Sequence, residues 1–117
     1  MPTMIGPAPQ ELGVFTGIVA AMPAPTLDSQ GVATNGARFV NVWIGMTGGT
    51  SVVFQVYLYR TGQGWTYYGD VPATTLLTAQ GGSIFQLELR GAERVYAQLT
   101  TFVGPPTCTI LYEGVTY

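Results

Sequence analysis

At 117 residues the chain is one domain's worth of polypeptide, long enough to bury a single core. Hydrophobic residues make up 47% of it and charged residues only 9%, with four arginines, six acidic groups, no lysine and no histidine; this excludes disorder and leaves less charge than a small domain normally needs to keep its whole surface wet. The formal net charge of −2 and the scattered arginines exclude a phosphate-backbone footprint, so no nucleic-acid partner is expected.

In chain order, the stretch MPTMIGPAPQEL comes first. Its prolines at 2, 7 and 9 forbid a helix and preset an extended arm over residues 1–12, with Pro7, Pro9 and Leu12 available to lie on a neighbour. The following LGVFTGIVAAMPA has no basic residue ahead of it, so it reads as a strand and not as a signal peptide. No apolar run reaches the length of a membrane span, and no membrane partner is expected.

Residues 22–37, MPAPTLDSQGVATNGA, form a loop by their Pro, Asp, Asn and Gly content. The remaining runs are rich in Val, Ile, Thr and aromatic residues and predict strands: GVFTGIVAA, ARFVNVWIGM, SVVFQVYLYR, GWTYYGD, SIFQLELR, RVYAQLTTF and TCTILYEGV. TTLLTAQ, residues 74–80, is an eighth strand or a single turn. MTGGTS and RTGQGW read as hairpin connections, with RGAE as punctuation of the same kind. The fold class that follows is all-β: an antiparallel β-sandwich of seven or eight strands, jelly-roll-like, with residues 13–117 as its single domain.

Alternation assigns the faces. Val40, Val42, Ile44 and Met46 point one way, as do Val52, Phe54, Val56 and Leu58, and Val95, Ala97 and Leu99. With Leu87 and Leu89 they form the expected core. The opposite sides carry Phe39, Asn41 and Trp43; Gln55, Tyr57 and Tyr59; and Arg94, Tyr96, Gln98 and Phe102. A solvated sheet face carries Lys, Glu and Thr, whereas rings and arginine are enriched in buried protein contacts. Phe39, Trp43, Tyr57, Tyr59 and Tyr96 are therefore candidate interface residues. Cross-strand stabilisation within the sheet is the competing account of the same rings.

The sequence offers little chemistry. Without histidine, and with Cys108 alone, the Ser-His and Cys-His routes and a structural zinc site are closed, and no disulfide can form within the chain. Glu88 and Glu93 flank RGAE, and Glu88 is expected to pair with Arg90 or Arg94 or to face water, so no carboxylate is assigned a catalytic role. No run of calcium-loop type is present. No cofactor, metal or catalytic residue is expected.

A proline-rich arm, a long first loop, GARFVNVWIGMTGG, the GWTYYGD hairpin and the closing GAERVYAQLTTFVGPPTCTILYEGV together resemble the small β-sandwich virion proteins of tailed bacteriophages, most of all capsid cement or decoration proteins. The resemblance implies a non-enzymatic protein, made in the host cytoplasm, that sits on the outer surface of the capsid. It also implies that the protein binds the major capsid protein or another virion protein and forms a homo-oligomer, a trimer being favoured. The alternative is a carbohydrate-binding module of a fibre or secreted protein, in which Trp65 and Tyr67, on one face of their strand, stack on sugar rings while Gln63 and Asp70 bond the hydroxyls.

Overall fold

The computed structural model describes residues 8–70, 76–77, 81–104 and 106–116. Among them there is no helix, and nine strands follow one another: β1 (Gln10–Ile18), β2 (Val32–Ala33), β3 (Phe39–Thr47), β4 (Ser51–Arg60), β5 (Gly64–Asp70), β6 (Leu76–Leu77), β7 (Gly82–Glu88), β8 (Arg94–Val103) and β9 (Thr107–Val115). The first sheet has the order β1-β9-β3-β7 and the second β2-β8-β4-β5, with β6 attached to β4.

Every pairing is antiparallel, and the partners are nested: β1 with β9, β2 with β8, β3 with β7, β4 with β5. A long hairpin whose outermost strands pair with each other, rolled until it forms two facing sheets, is a jelly roll. The expected architecture is therefore the observed one.

This topology corrects the reading of the turns. Only RTGQGW closes a hairpin between paired strands, with Gln63 N–H donating to Arg60 O at 2.9 Å. MTGGTS carries the chain from β3 in the first sheet to β4 in the second, and RGAE carries it from β7 to β8, so both are corners between sheets. Glycine's left-handed backbone serves either purpose, and local sequence does not separate them. Of TTLLTAQ, only Leu76 and Leu77 lie within the described residues, and they extend the second sheet.

Gln10, Glu11 and Leu12, expected within the arm, lie in the first sheet. β1 begins at Gln10 and pairs Glu11 with Glu113, and Leu12 packs on the chain's own core beside Gly114. Pro9 is exposed ahead of the strand, and Pro7 lies outside the described residues.

The core is where alternation put it. Val40, Val42, Ile44, Phe54, Val56, Leu87, Leu89, Val95 and Leu99 are all buried, and Leu58 packs against them half-buried. Cys108 is buried among them as a small apolar residue. One residue departs from the parity. A bulge between Val53 and Phe54 leaves Thr100 extra on β8, so Phe102 lies opposite Val52 and shares its side, not that of Tyr96. Inserting one residue exchanges the two faces of every residue beyond it.

Candidate interaction surface

The outer faces of the two sheets differ. On the second sheet, the register places Tyr57 opposite both Tyr67 and Tyr96, and Tyr59 opposite both Trp65 and Arg94. The five rings share this face in two contact groups: Tyr57 with Tyr67 at 5.7 Å, and Trp65 between Tyr59 at 5.3 Å and Tyr96 at 6.0 Å, centroid to centroid. All three pairs are steeply tilted, at 63°, 57° and 60°.

Half of this cluster is covered by the chain itself. The segment from Met22 to Gly31 leaves the edge of β8, crosses the aromatic face and returns at Val32. Met22 N–H donates to Leu99 O, Tyr96 Oη donates to Pro23 O, and Trp65 Nε1 donates to Leu27 O. The Arg94 guanidinium gathers the carbonyls of Ser29, Gln30 and Gly31 at 3.2, 2.7 and 3.2 Å. Gln30 Oε1 in turn accepts from the backbone N–H groups of Thr26 and Leu27. Gly31 is required where the loop rejoins the sheet: its φ is +68°, and a Cβ there would collide with Val95 O. Gln98, beneath the same segment, donates to Met22 O, while its Oε1 has no partner among the described residues.

Tyr96, expected against a partner, is therefore buried by its own loop, with its phenol pKa raised by that burial. Trp65 is half-buried and anchored at its indole nitrogen, and only Tyr67, of the two rings assigned to stacking on a ligand, is broadly exposed. Tilted, tethered rings fix the hairpin and do not present the coplanar surface that a sugar stack needs. Tyr57 and Tyr59 are half-buried between these extremes.

Among the described residues, no segment crosses the first sheet's outer face. Cross-strand register aligns Val14 with Leu111, Leu111 with Trp43, and Trp43 with Ile84. Directly opposed residues share a face, so these four side chains form one apolar ridge running across all four strands. Val14, Trp43 and Ile84 are 46%, 46% and 51% exposed, far above what an apolar residue retains in a core. On one flank lies a polar row, Glu11, Glu113, Asn41 and Gln86, in which Glu113 accepts the Trp43 indole N–H at 2.8 Å and Gln86 donates to Asn41 at 2.7 Å. On the other flank, Thr109, Gly45 and Gly82 form a furrow beside the ridge, with about 470 Å³ of open space bounded by Trp43, Ile84 and Thr109. Phe39, four residues before Trp43 on the same strand, is half-buried, with the Arg38 guanidinium 5.5 Å above its ring.

A second cleft opens at the end of the sandwich between Leu58, Tyr68, Leu89 and Ala92, with Arg60 and Arg90 at its rim, but its volume of about 220 Å³ is below the size of an ordinary small-molecule site. Its charged groups are engaged in the fold. Arg60 donates to Gly91 O, and Thr61 donates through both its hydroxyl and its N–H to Glu93, which holds that carboxyl below its usual range. Arg90 pairs with Glu88 at 3.3 Å on exposed side chains, a contact worth little. The remaining shifted groups are silent ones: burial raises the Cys108 thiol and the Tyr112 phenol. Among the described residues, no group of three or more His, Cys, Asp or Glu is placed to hold a metal ion.

Comparison of the chain with protein-family models, curated proteins and solved structures finds no match. Alternation places Trp43 on the outer face, where the structure has it, but does not reveal the ridge. Val14, Leu111 and Ile84 sit on three other strands, and only the register brings them into line with it.

Proposed function

We propose that this chain is a non-enzymatic structural subunit of a virion, a cement or decoration protein that seats on the head shell of a tailed bacteriophage and stabilises it. The observation that carries the reading is that both outer faces of the sandwich present apolar side chains to solvent: the Val14–Leu111–Trp43–Ile84 ridge on one, the Tyr57–Tyr67 pair beside the loop on the other. A subunit that bridges neighbours needs contact surfaces on more than one side, and exposed apolar patches of this kind mark protein contacts. The scarcity of charge supports the same reading, as does the sequence resemblance. The proline-rich stretch ahead of β1, including Pro7 and Pro9, is assigned to seating on the shell.

The test is co-sedimentation of the purified chain with head shells of the phage whose genome encodes it, followed by electron microscopy. Saturable binding at fixed positions on the shell is expected. It should be weakened by Tyr67→Glu and by removal of residues 1–9, neither of which should shift melting. Absence of shell binding, together with retention on an immobilised glycan, would overturn the reading in favour of a carbohydrate-binding module.

A further inference from the structure

The ridge and furrow of the first sheet's outer face lie side by side, and this arrangement has a consequence for what covers them. Rotation by 180° about an in-plane axis running between the two rows and parallel to them keeps each strand's position across the sheet and exchanges the rows. Under that rotation Trp43 of one copy lies over Gly45 of the other, Ile84 over Gly82, and Leu111 over Thr109. Trp43 and Ile84 meet glycines, and Leu111 meets the smaller Thr109. The next rows outward meet as well: Glu113 faces Thr107 and Asn41 faces Thr47, since Thr107 and Thr47 are paired one step beyond the furrow. The carboxylate on the central strands therefore faces a hydroxyl donor and not another carboxylate.

We infer that the outer face of the first sheet is a twofold self-association surface, in which the Leu111–Trp43–Ile84 ridge of each copy fills the Thr109–Gly45–Gly82 furrow of a second copy. A face that complements itself under a twofold axis is what an isologous contact requires. The furrow is built into the backbone at Gly82, where a Cβ would collide with Ile44 O, so no larger residue fits there without displacing β7. At Gly45 the opposite holds: an added Cβ would meet nothing within 4 Å, so the space above it is open toward the partner.

Four strands of about nine residues cover roughly 19 Å by 30 Å, or on the order of 600 Å² per copy, which is at the low end for a specific contact. The dimer is therefore expected to be weak in isolation, with a Kd of about micromolar or above, and to be reinforced when many copies are held together. The contact is twofold, in place of the trimer that the sequence resemblance implies. The inference rests on the assembly reading only in treating this face as an interface, and its test uses the purified chain with no shell present. Loss of shell binding by a chain that still dimerises would count against the proposed function alone.

Sedimentation velocity over about 5 to 500 μM should show concentration-dependent dimerisation. Gly45→Val is the discriminating variant, because a β-branched residue suits a strand and has room there within one copy, yet its methyls occupy the furrow that the partner's indole needs. It should melt no lower than the parent and dimerise at least tenfold more weakly. Ile84→Ser, on an exposed side chain at the other end of the ridge, should do the same. A parent chain that stays monomeric throughout the range, or folded Gly45→Val and Ile84→Ser variants that dimerise as tightly as the parent, would overturn the proposal.

Discussion

The backbone N–H of Ala97 on β8 donates to the phenol oxygen of Tyr112 on β9 at 2.9 Å, joining the two sheets through the core. The bond answers a defect in the second sheet's edge. β8 is paired at Val95 by Val32 and again at Leu99 by Met22, but between those points the chain departs as the covering loop. Ala97, on the same edge and fully buried, would be left with an unpaired donor. Tyr112 reaches across the core to supply the acceptor.

Tyr112→Phe should therefore destabilise the fold by about 1 to 3 kcal/mol at neutral pH, the cost of stranding a buried donor. Ionisation of the same residue opposes folding at alkaline pH. Burial raises its pKa in the folded state, and that of Tyr96 in the same direction, above the value of about 10 for an unfolded tyrosine. The stability of the neutral phenol is thus fully present below about pH 10 and is lost as pH rises and the unfolded chain ionises first. Urea titrations at pH 8 to 11 should show a fall in stability that is shallower in Tyr112→Phe; equal slopes would count against this account.

Val56 lies at the centre of β4, 1% exposed, between the two sheets. Val56→Ala removes two methyl groups from a packed core and should cost about 1 to 3 kcal/mol, read as a lower urea midpoint with an unchanged slope. A change of slope would place the effect in the unfolded or native ensemble instead.

Alternation made this core legible because nearly all of it is inward on strands, ahead of the β8 bulge, with Leu89 one residue past the end of β7. The bounds of SVVFQVYLYR, GWTYYGD and TCTILYEGV coincide with β4, β5 and β9. What parity does not carry is what lies over a face. Tyr96 and Gln98 point outward as expected, yet both are buried, because a loop some 70 residues earlier in the chain folds over them. Phe102 departs from parity for a related reason: a bulge opposite Val53 and Phe54 has no marker in RVYAQLTTF. The ridge required three registers at once, and no local pattern contains them.

Trp43→Glu tests the exposed ridge against the competing view that its rings belong to the core. Trp43 is 46% exposed, and among the described residues its indole nitrogen bonds Glu113. The substitution places two carboxylates side by side on a wet face, so a loss of stability within about 1 kcal/mol and a soluble monomer are expected. Unfolding of the variant at room temperature would mean that the indole is structural.

The covering loop hangs on Arg94, whose guanidinium is the common donor to the carbonyls of Ser29, Gln30 and Gly31. Three consecutive carbonyls turned toward one cation fix the loop's return to β2, and they keep Leu27 O above the Trp65 indole and Pro23 O above the Tyr96 phenol. Arg94→Ala leaves those carbonyls to water and frees the loop to open without disturbing the β8–β4 ladder. The expected cost is about 1 to 3 kcal/mol if the loop stays closed, and less if it detaches as a unit. Detachment is readable separately: limited proteolysis should cut between residues 23 and 30, and Trp65 fluorescence should shift to the red as its ring becomes wet. A variant that resists proteolysis and keeps the parent's emission would show that the Tyr96 and Trp65 bonds hold the loop without Arg94.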